Sequence, residues 1–163
     1  MDAGCYTAII TPFTSPATAV DYQGLQRLVD FQISNGITGV LAVGTTGESP
    51  TLAWDEHHKV TQVIAEQTKG KCLCIAGTGS NNTKESLAAT QHAVDSGADA
   101  VLMVDPYYNG PSSLEIRNEY IAPVAQAFPD TTIIPYVIPG RTGAQLFPED
   151  LAILFNDFKN VNT

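Results

Sequence analysis

The feature that most restricts this chain is a regular alternation. Five short apolar runs, at 6–10, 39–43, 72–76, 100–104 and 132–137, are separated by longer stretches in which apolar residues recur every three or four positions. The runs are rich in Val, Ile, Leu and Ala and show no strict polar alternation, the pattern of strands buried on both faces. Such strands are parallel, because a parallel pair needs a crossover long enough to hold a helix, and the helices then cover the sheet.

The intervening stretches predict those helices. Over 22–34, Leu25, Leu28, Val29 and Ile33 share one helical face, with Asp21 placed to cap the start and Gly36 the end. Further helices are expected at 55–68, ending near Gly70, and from Asn82 or Thr83 to Gly97. Another is expected at 114–128, stopped by Pro129, and a last one from Pro148, a favoured first helical residue, to about Phe158. Segment 34–44 is echoed by 95–105 as helix end, glycine, short turn and buried strand, with βα units of roughly 30 residues between them. No linker or composition shift divides residues 1–163, so a single domain is expected. The alternation suits either a closed barrel or a doubly wound sheet. No G-x-G-x-x-G or Walker loop favours the nucleotide-binding form of the latter.

Charged residues make up 15% of the chain and apolar ones 44%, which supports a packed core and argues against a disordered or coiled-coil chain. The net charge of -9 speaks against a nucleic-acid partner, since phosphate binding needs clustered Lys and Arg, but leaves a pocket free to take an acidic small molecule. Cys5, Cys72 and Cys74 have no disulfide-framework spacing. Cys72 and Cys74, two apart in an apolar run, are expected on one face of a strand as buried thiols. No leader pattern and no run long enough to span a bilayer is seen, so a cytoplasmic location, away from membranes, is expected. The residues call for no metal and no cofactor.

In either parallel architecture the chemistry sits at the C-terminal ends of strands. After the second run comes Gly44-Thr45-Thr46-Gly47-Glu48-Ser49, where glycines allow close backbone approach and N–H groups and hydroxyls suit a carboxylate; a plain turn with capping threonines has the same composition. After the fourth comes Asp105-Pro106-Tyr107-Tyr108-Asn109-Gly110, whose phenols suit proton relay or simple rim packing. After the fifth comes Tyr136-Val137-Ile138-Pro139-Gly140-Arg141-Thr142-Gly143. Arg141 there suits bidentate carboxylate capture or plain surface exposure.

These loops, in this order, together with Ile10-Thr11-Pro12-Phe13, resemble the dihydrodipicolinate synthase and N-acetylneuraminate lyase superfamily over essentially the whole chain. The resemblance implies the first five βα units of a TIM (β/α)8 barrel and a homotetramer when full length. It implies class I aldolase chemistry, in which a lysine forms a Schiff base with pyruvate and the enamine attacks a second carbonyl compound. It casts Tyr136 as the phenol beside that lysine, Thr45 as the hydroxyl linking it to Tyr108, and Tyr108 as the residue reaching into a neighbouring subunit. Thr46, with Gly44 and Gly47 shaping the loop, would hold the pyruvate carboxylate. Arg141 would hold the carboxylate of L-aspartate 4-semialdehyde, which favours the lysine-pathway, diaminopimelate-route branch over sugar-acid lyases. The chain departs from the family pattern at Val137, where an asparagine is usual.

The same resemblance casts Ser49, Trp54, His57, Asn81, Glu85 and Tyr107 as an L-lysine feedback site. Trp54 and His57, three apart at a helix start, equally suit capping and packing. The resemblance places the Schiff-base lysine at the end of a sixth strand that begins at Asn160-Val161-Asn162-Thr163, just past Thr163; Lys159 precedes that strand and falls at its wrong end. With about five of eight units, the 163-residue chain alone is expected to be inactive unless the remainder is supplied in trans. The alternatives are another pyruvate-dependent aldolase of the superfamily, of N-acetylneuraminate lyase or 2-keto-3-deoxy sugar acid type, and an inactive truncated or regulatory subunit.

Overall fold

The computed structural model describes Met1 and residues 3–162. The chain forms two compact units, Met1–Gly77 with His92–Asp99, and Thr78–Gln91 with Ala100–Thr163.

In the first unit, β1 (Tyr6–Ala8), β2 (Gly39–Ala42) and β3 (Leu73–Gly77) form parallel pairs in sequential order, with Val40 opposite Thr7 and Cys74. There is no change of winding direction, so this unit lacks the switch point that a doubly wound sheet requires. Helices α1 (Tyr22–Ser34) and α2 (Trp54–Thr68) supply the crossovers. The expected caps are present: the Asp21 carboxylate accepts from Gly24 N–H at 2.8 Å, and Gly36 takes a positive φ of 76° where the chain leaves α1. At α2 the Glu56 carboxylate reaches back to Ala53 N–H at 3.1 Å. Leu25, Val29, Val40, Val60 and Ile64 are buried together between the layers. Complete burial of an aliphatic side chain contributes about 1.5–3 kcal/mol.

Only one of the paired cysteines lies in a strand. Cys72 sits in the turn before β3, its N–H bonded to Thr68 O at 3.1 Å, and is half-buried. Cys74 is buried, and burial followed by the nearby Asp99 carboxylate pushes its thiol up to about 12, so it is inert at neutral pH. Asp99 clamps Cys74 from both sides, its carboxylate accepting Cys74 N–H at 2.8 Å and its own N–H donating to Cys74 O at 2.9 Å.

In the second unit, β4 (Ala100–Val104) and β5 (Thr132–Tyr136) pair in parallel, Val104 opposite Tyr136. Helix α3 (Thr83–Ser96) gives its first turns to this unit and its last to the other. The single helix expected at 114–128 has three segments: α4 (Ser113–Glu115), a π-helix (Ile116–Ile121) and α5 (Ala122–Ala127). Pro123 explains the interruption. It has no N–H to give Glu119 O, and its ring crowds that carbonyl. The backbone widens, Ala122 N–H reaches Arg117 O instead, and the freed Glu119 carbonyl accepts from Thr83 Oγ1 at 2.9 Å.

Two further helices follow β5. The four-residue α6 (Pro139–Thr142), where a loop was expected, ends at Gly143 with φ 69°. Helix α7 (Pro148–Asp157) starts at Pro148 as expected. Its first turn is held by Asp150, which bonds the Ser113 hydroxyl and pairs with Arg117 at 2.7 Å, both partners being largely buried. Asn160–Asn162 are not a strand, yet Asn160 O accepts from Ile133 N–H at 2.8 Å, the bond a sixth strand would give β5; Thr163 lies outside the described residues. Among the described residues no helix is long and apolar enough to cross a membrane.

Gly77 offers a direct check on this packing. A Cβ there would stand 2.4 Å from Val43 O, whereas one at Gly140 would meet nothing within 4 Å. Gly77→Ala should therefore destabilise the chain by about 1–3 kcal/mol and Gly140→Ala by no more than about 0.5 kcal/mol, as read from urea denaturation midpoints.

Candidate functional site

Apolar strand interiors leave polar groups only at strand ends, and the candidate residues are found there. In the first unit, β2 runs into Val43, Gly44, Thr45, Thr46 and Gly47. Val43 holds φ 44° and Glu48 φ 57°. For a β-branched residue such as Val43 this is strain on the order of 1–3 kcal/mol. The loop is pinned from both sides: Thr11 Oγ1 donates to Gly47 O at 2.7 Å, and Gly47 N–H returns to Gly44 O at 3.0 Å. A Cβ on Gly47 would stand 3.1 Å from Val43 Cα and 3.2 Å from Ile9 O, so the tight turn needs glycine. The N–H groups of Gly47, Glu48 and Ser49 are used inside the turn, whereas those of Thr45 and Thr46 donate to no backbone carbonyl among the described residues. Both threonines are exposed, and their hydroxyls and unused amides are the donors this turn can offer.

Trp54 and His57 sit at the start of α2, with ring centroids 5.0 Å apart, and Ser49 lies in the 3-10 turn (Ser49–Thr51) just before it. All three histidines of the chain gather here: His58 lies 6.0 Å from His57 and stacks on His92 at 4.3 Å with rings 12° apart. His57 is 3% exposed, and among the described residues neither ring nitrogen makes a well-formed hydrogen bond, the Gly77 carbonyl being near but poorly aligned. Burial lowers its pKa to about 4, helped by the neighbouring His58 and His92 and opposed by the Gly77 carbonyl. His58 is lowered too, by burial and then by His92, against the pull of Asp55. The gathering of three rings was not evident from spacing, because His92 is brought in from another helix.

In the second unit, β4 is followed by Asp105, Tyr107 and Tyr108, and β5 ends at Tyr136. The two ends are tied: Asp105 N–H donates to Tyr136 O at 3.2 Å, and Tyr108 N–H to Thr142 O at 3.3 Å. Tyr108 takes φ 78° and is 90% exposed, projecting its ring into solvent, while Tyr107 and Tyr136 are half-buried. Arg141 is exposed in α6, one residue before the Thr142 carbonyl that receives the Tyr108 amide. Asn81 is exposed ahead of α3. Glu85 is half-buried in its first turn, where its carboxylate accepts from Ser80 Oγ at 2.5 Å.

Asp105 was not singled out from sequence. It is fully buried, its Oδ2 accepts from Leu146 N–H at 3.1 Å, and its Oδ1 has no hydrogen-bond partner among the described residues. Burial raises its pKa to about 6, only partly offset by the Leu146 N–H. Nothing in the motif Asp105-Pro106-Tyr107-Tyr108 indicates this, since the segment that covers the carboxyl arrives from 41 residues away.

A family model for the dihydrodipicolinate synthetase family matches residues 1–163. The chain belongs to that family. It is 42% identical to the 4-hydroxy-tetrahydrodipicolinate synthase of Methanococcus aeolicus over 98% of its own length and 54% of that protein's. It superposes on dihydrodipicolinate synthase from Aquifex aeolicus with a TM-score of 0.92 at 40% identity, covering 97% of this chain and 53% of the other. The lysine-bound enzyme of Cyanidioschyzon merolae gives 0.92 at 37% identity, with 97% and 53% covered. The chain thus spans about half the length of the relatives it matches, and its fold is the N-terminal five βα units of a TIM barrel.

Two opposite pH effects follow. His57, with a lowered pKa, contributes stability that is complete above about pH 6.5 and lost as pH falls toward about 4. Melting temperature should fall across that window, and His57→Gln should flatten the slope. Asp105, with a raised pKa, contributes stability below about pH 4 that is lost as pH rises through about 6. Asp105→Asn should therefore melt roughly 3 °C higher than the parent at pH 7.5, with the gain vanishing near pH 4.

Proposed function

We propose that this sequence is the front part of a lyase, a Schiff-base-forming synthase that condenses pyruvate with L-aspartate 4-semialdehyde in the diaminopimelate route to lysine, in the cytoplasm. The observation that carries the reading is the set of strand ends: the family's residue types stand at the ends of β2, β4 and β5, in order and on a backbone that matches synthases at TM-scores of 0.92. Pyruvate and L-aspartate 4-semialdehyde both carry a carboxylate. The donors of Thr45 and Thr46, in the turn that Gly44 and Gly47 permit, suit the first. The exposed guanidinium of Arg141 suits the second.

Tyr136 would exchange protons with the Schiff base, with the Thr45 hydroxyl and the Tyr108 phenol serving the same relay. Hydroxyls can pass protons at near-neutral pH without a charged base. The solvent-facing Tyr108 ring, held at φ 78° on a backbone tied to Thr142, suits a residue that completes the site of a second copy in a homotetramer. L-Lysine is the proposed effector, with Ser49, Trp54, His57, Asn81, Glu85 and Tyr107 as its contacts. Trp54 offers an aromatic face to the cationic side chain, and the second carboxylate oxygen of Glu85 can meet an ammonium. The lysine-bound relative supports this reading. Val137, where the family usually has asparagine, supports a second reading as a different pyruvate-dependent aldolase.

A coupled assay on the protein that joins this sequence to its Schiff-base lysine tests both readings. Condensation with L-aspartate 4-semialdehyde and not with sugar-derived aldehydes is expected; the reverse preference would install the second reading. Arg141→Ala should raise KM for the semialdehyde about tenfold or more while leaving KM for pyruvate within about twofold.

A further inference from the structure

The second unit contains a closed set of hydroxyl bonds centred on Tyr120, a residue given no part in the function so far. Tyr120 lies in the π-helix and is 3% exposed. Its phenol donates to Val104 O at 3.0 Å and accepts from Ser80 N–H at 3.0 Å and Ser86 Oγ at 3.2 Å. One hydrogen and two lone pairs are thereby all used. Burial pushes the phenol up to about 12, so it stays neutral and gives up no proton in the working range.

The partners of this one oxygen lead in two directions. Ser80 Oγ donates to Glu85 Oε2 at 2.5 Å and accepts from Asn82 N–H at 3.3 Å, which fixes the turn that carries Asn81 and the first turn of α3. Val104 is the last residue of β4. Asp105 follows it and is bonded to Tyr136 O, and Tyr107 and Tyr108 come next. Pro123 is the origin of the arrangement: it forces the π turn that contains Tyr120 and frees the Glu119 carbonyl to bind Thr83 Oγ1, a second tie to the start of α3.

We propose that Tyr120 is a positioning residue that couples the turn bearing Asn81 and Glu85 to the strand end bearing Asp105, Tyr107 and Tyr108. Its phenolic oxygen is bonded directly to both. Displacing Glu85 pulls on Ser80, Ser80 pulls on the phenol, and the phenol shifts the carbonyl that sets the direction of the tyrosine segment. The biological meaning rests on the reading of Glu85 as an effector contact and of Tyr108 as a relay group; the mechanical coupling does not.

Amide NMR on the 163-residue chain tests it. In the parent, Glu85→Gln should move the amide signals of Asp105 and Tyr107 as well as those of Ser80 and Asn81. In a Tyr120→Phe background the near signals should still move, while the response at Asp105 and Tyr107 drops by about threefold or more. Ser80→Ala, which keeps the phenol and cuts only the bond to Glu85, should abolish the same distant response and serves if Tyr120→Phe does not fold. Equal distant responses with and without the phenol, or none in the parent, would overturn the proposal. L-Lysine titration separates the two layers. Binding retained in Tyr120→Phe with a silent Asp105 supports both. No L-lysine binding by the parent, with the Glu85→Gln pattern as expected, supports the coupling and removes the effector reading alone.

Discussion

In each unit the ladder of parallel strands, most deeply buried along β2, β3 and β4, is the constraint from which the rest follows. A strand covered by helices above and packed side chains below has no place for an uncompensated polar group. Val40, Ala42, Val101 and Met103 accordingly fill the interiors of β2 and β4. Polar chemistry is displaced to the strand ends, where Thr45, Thr46, Tyr108 and Tyr136 stand. The ladder also fixes their heights, because parallel register sets each end against its neighbour, as Val104 is set against Tyr136.

The strand ends are then shaped by what the backbone must do to turn. Val43 is held at a strained φ, and its carbonyl projects to where only a glycine at 77 leaves room. Asp105 spends its N–H on Tyr136 and its carboxylate on Leu146, so β4, β5 and the segment following Arg141 are set by one residue. Burying that carboxyl costs stability at neutral pH, and among the described residues the Leu146 amide alone donates to it. A strained valine and a buried acid at the ends of two strands are deviations of the kind expected where function, rather than stability, dictates the structure.

Most of the architecture was legible in the sequence because it depends on local rules. Strand positions followed from unbroken apolar runs, α1 from a three-four spacing bounded by Asp21 and Gly36, and α7 from Pro148 at its first turn. Each is decided within a few residues. The helix expected at 114–128 exists, but its π turn was missed, although Pro123 was the available signal: a proline four residues past Glu119 orphans a carbonyl, and the backbone must respond. Helix α6 was missed because Pro139 to Thr142 is too short for any period to show. Cys72 was assigned to a strand that begins one residue later.

The sequence by itself determined the order of the elements, their buried faces and the residue types at each strand end, since these depend on periodicity, turn chemistry and the scarcity of polar groups in apolar runs. Only the tertiary structure decided which of those residues share an environment. His92 reaches His58, Leu146 reaches Asp105, and Tyr120 reaches Ser80 from elements 34 to 41 residues apart in the chain. The physical reason is that burial and hydrogen-bond partnership are properties of the assembled space around an atom. No local pattern encodes which distant segment will close over a carboxyl or accept the proton of a phenol.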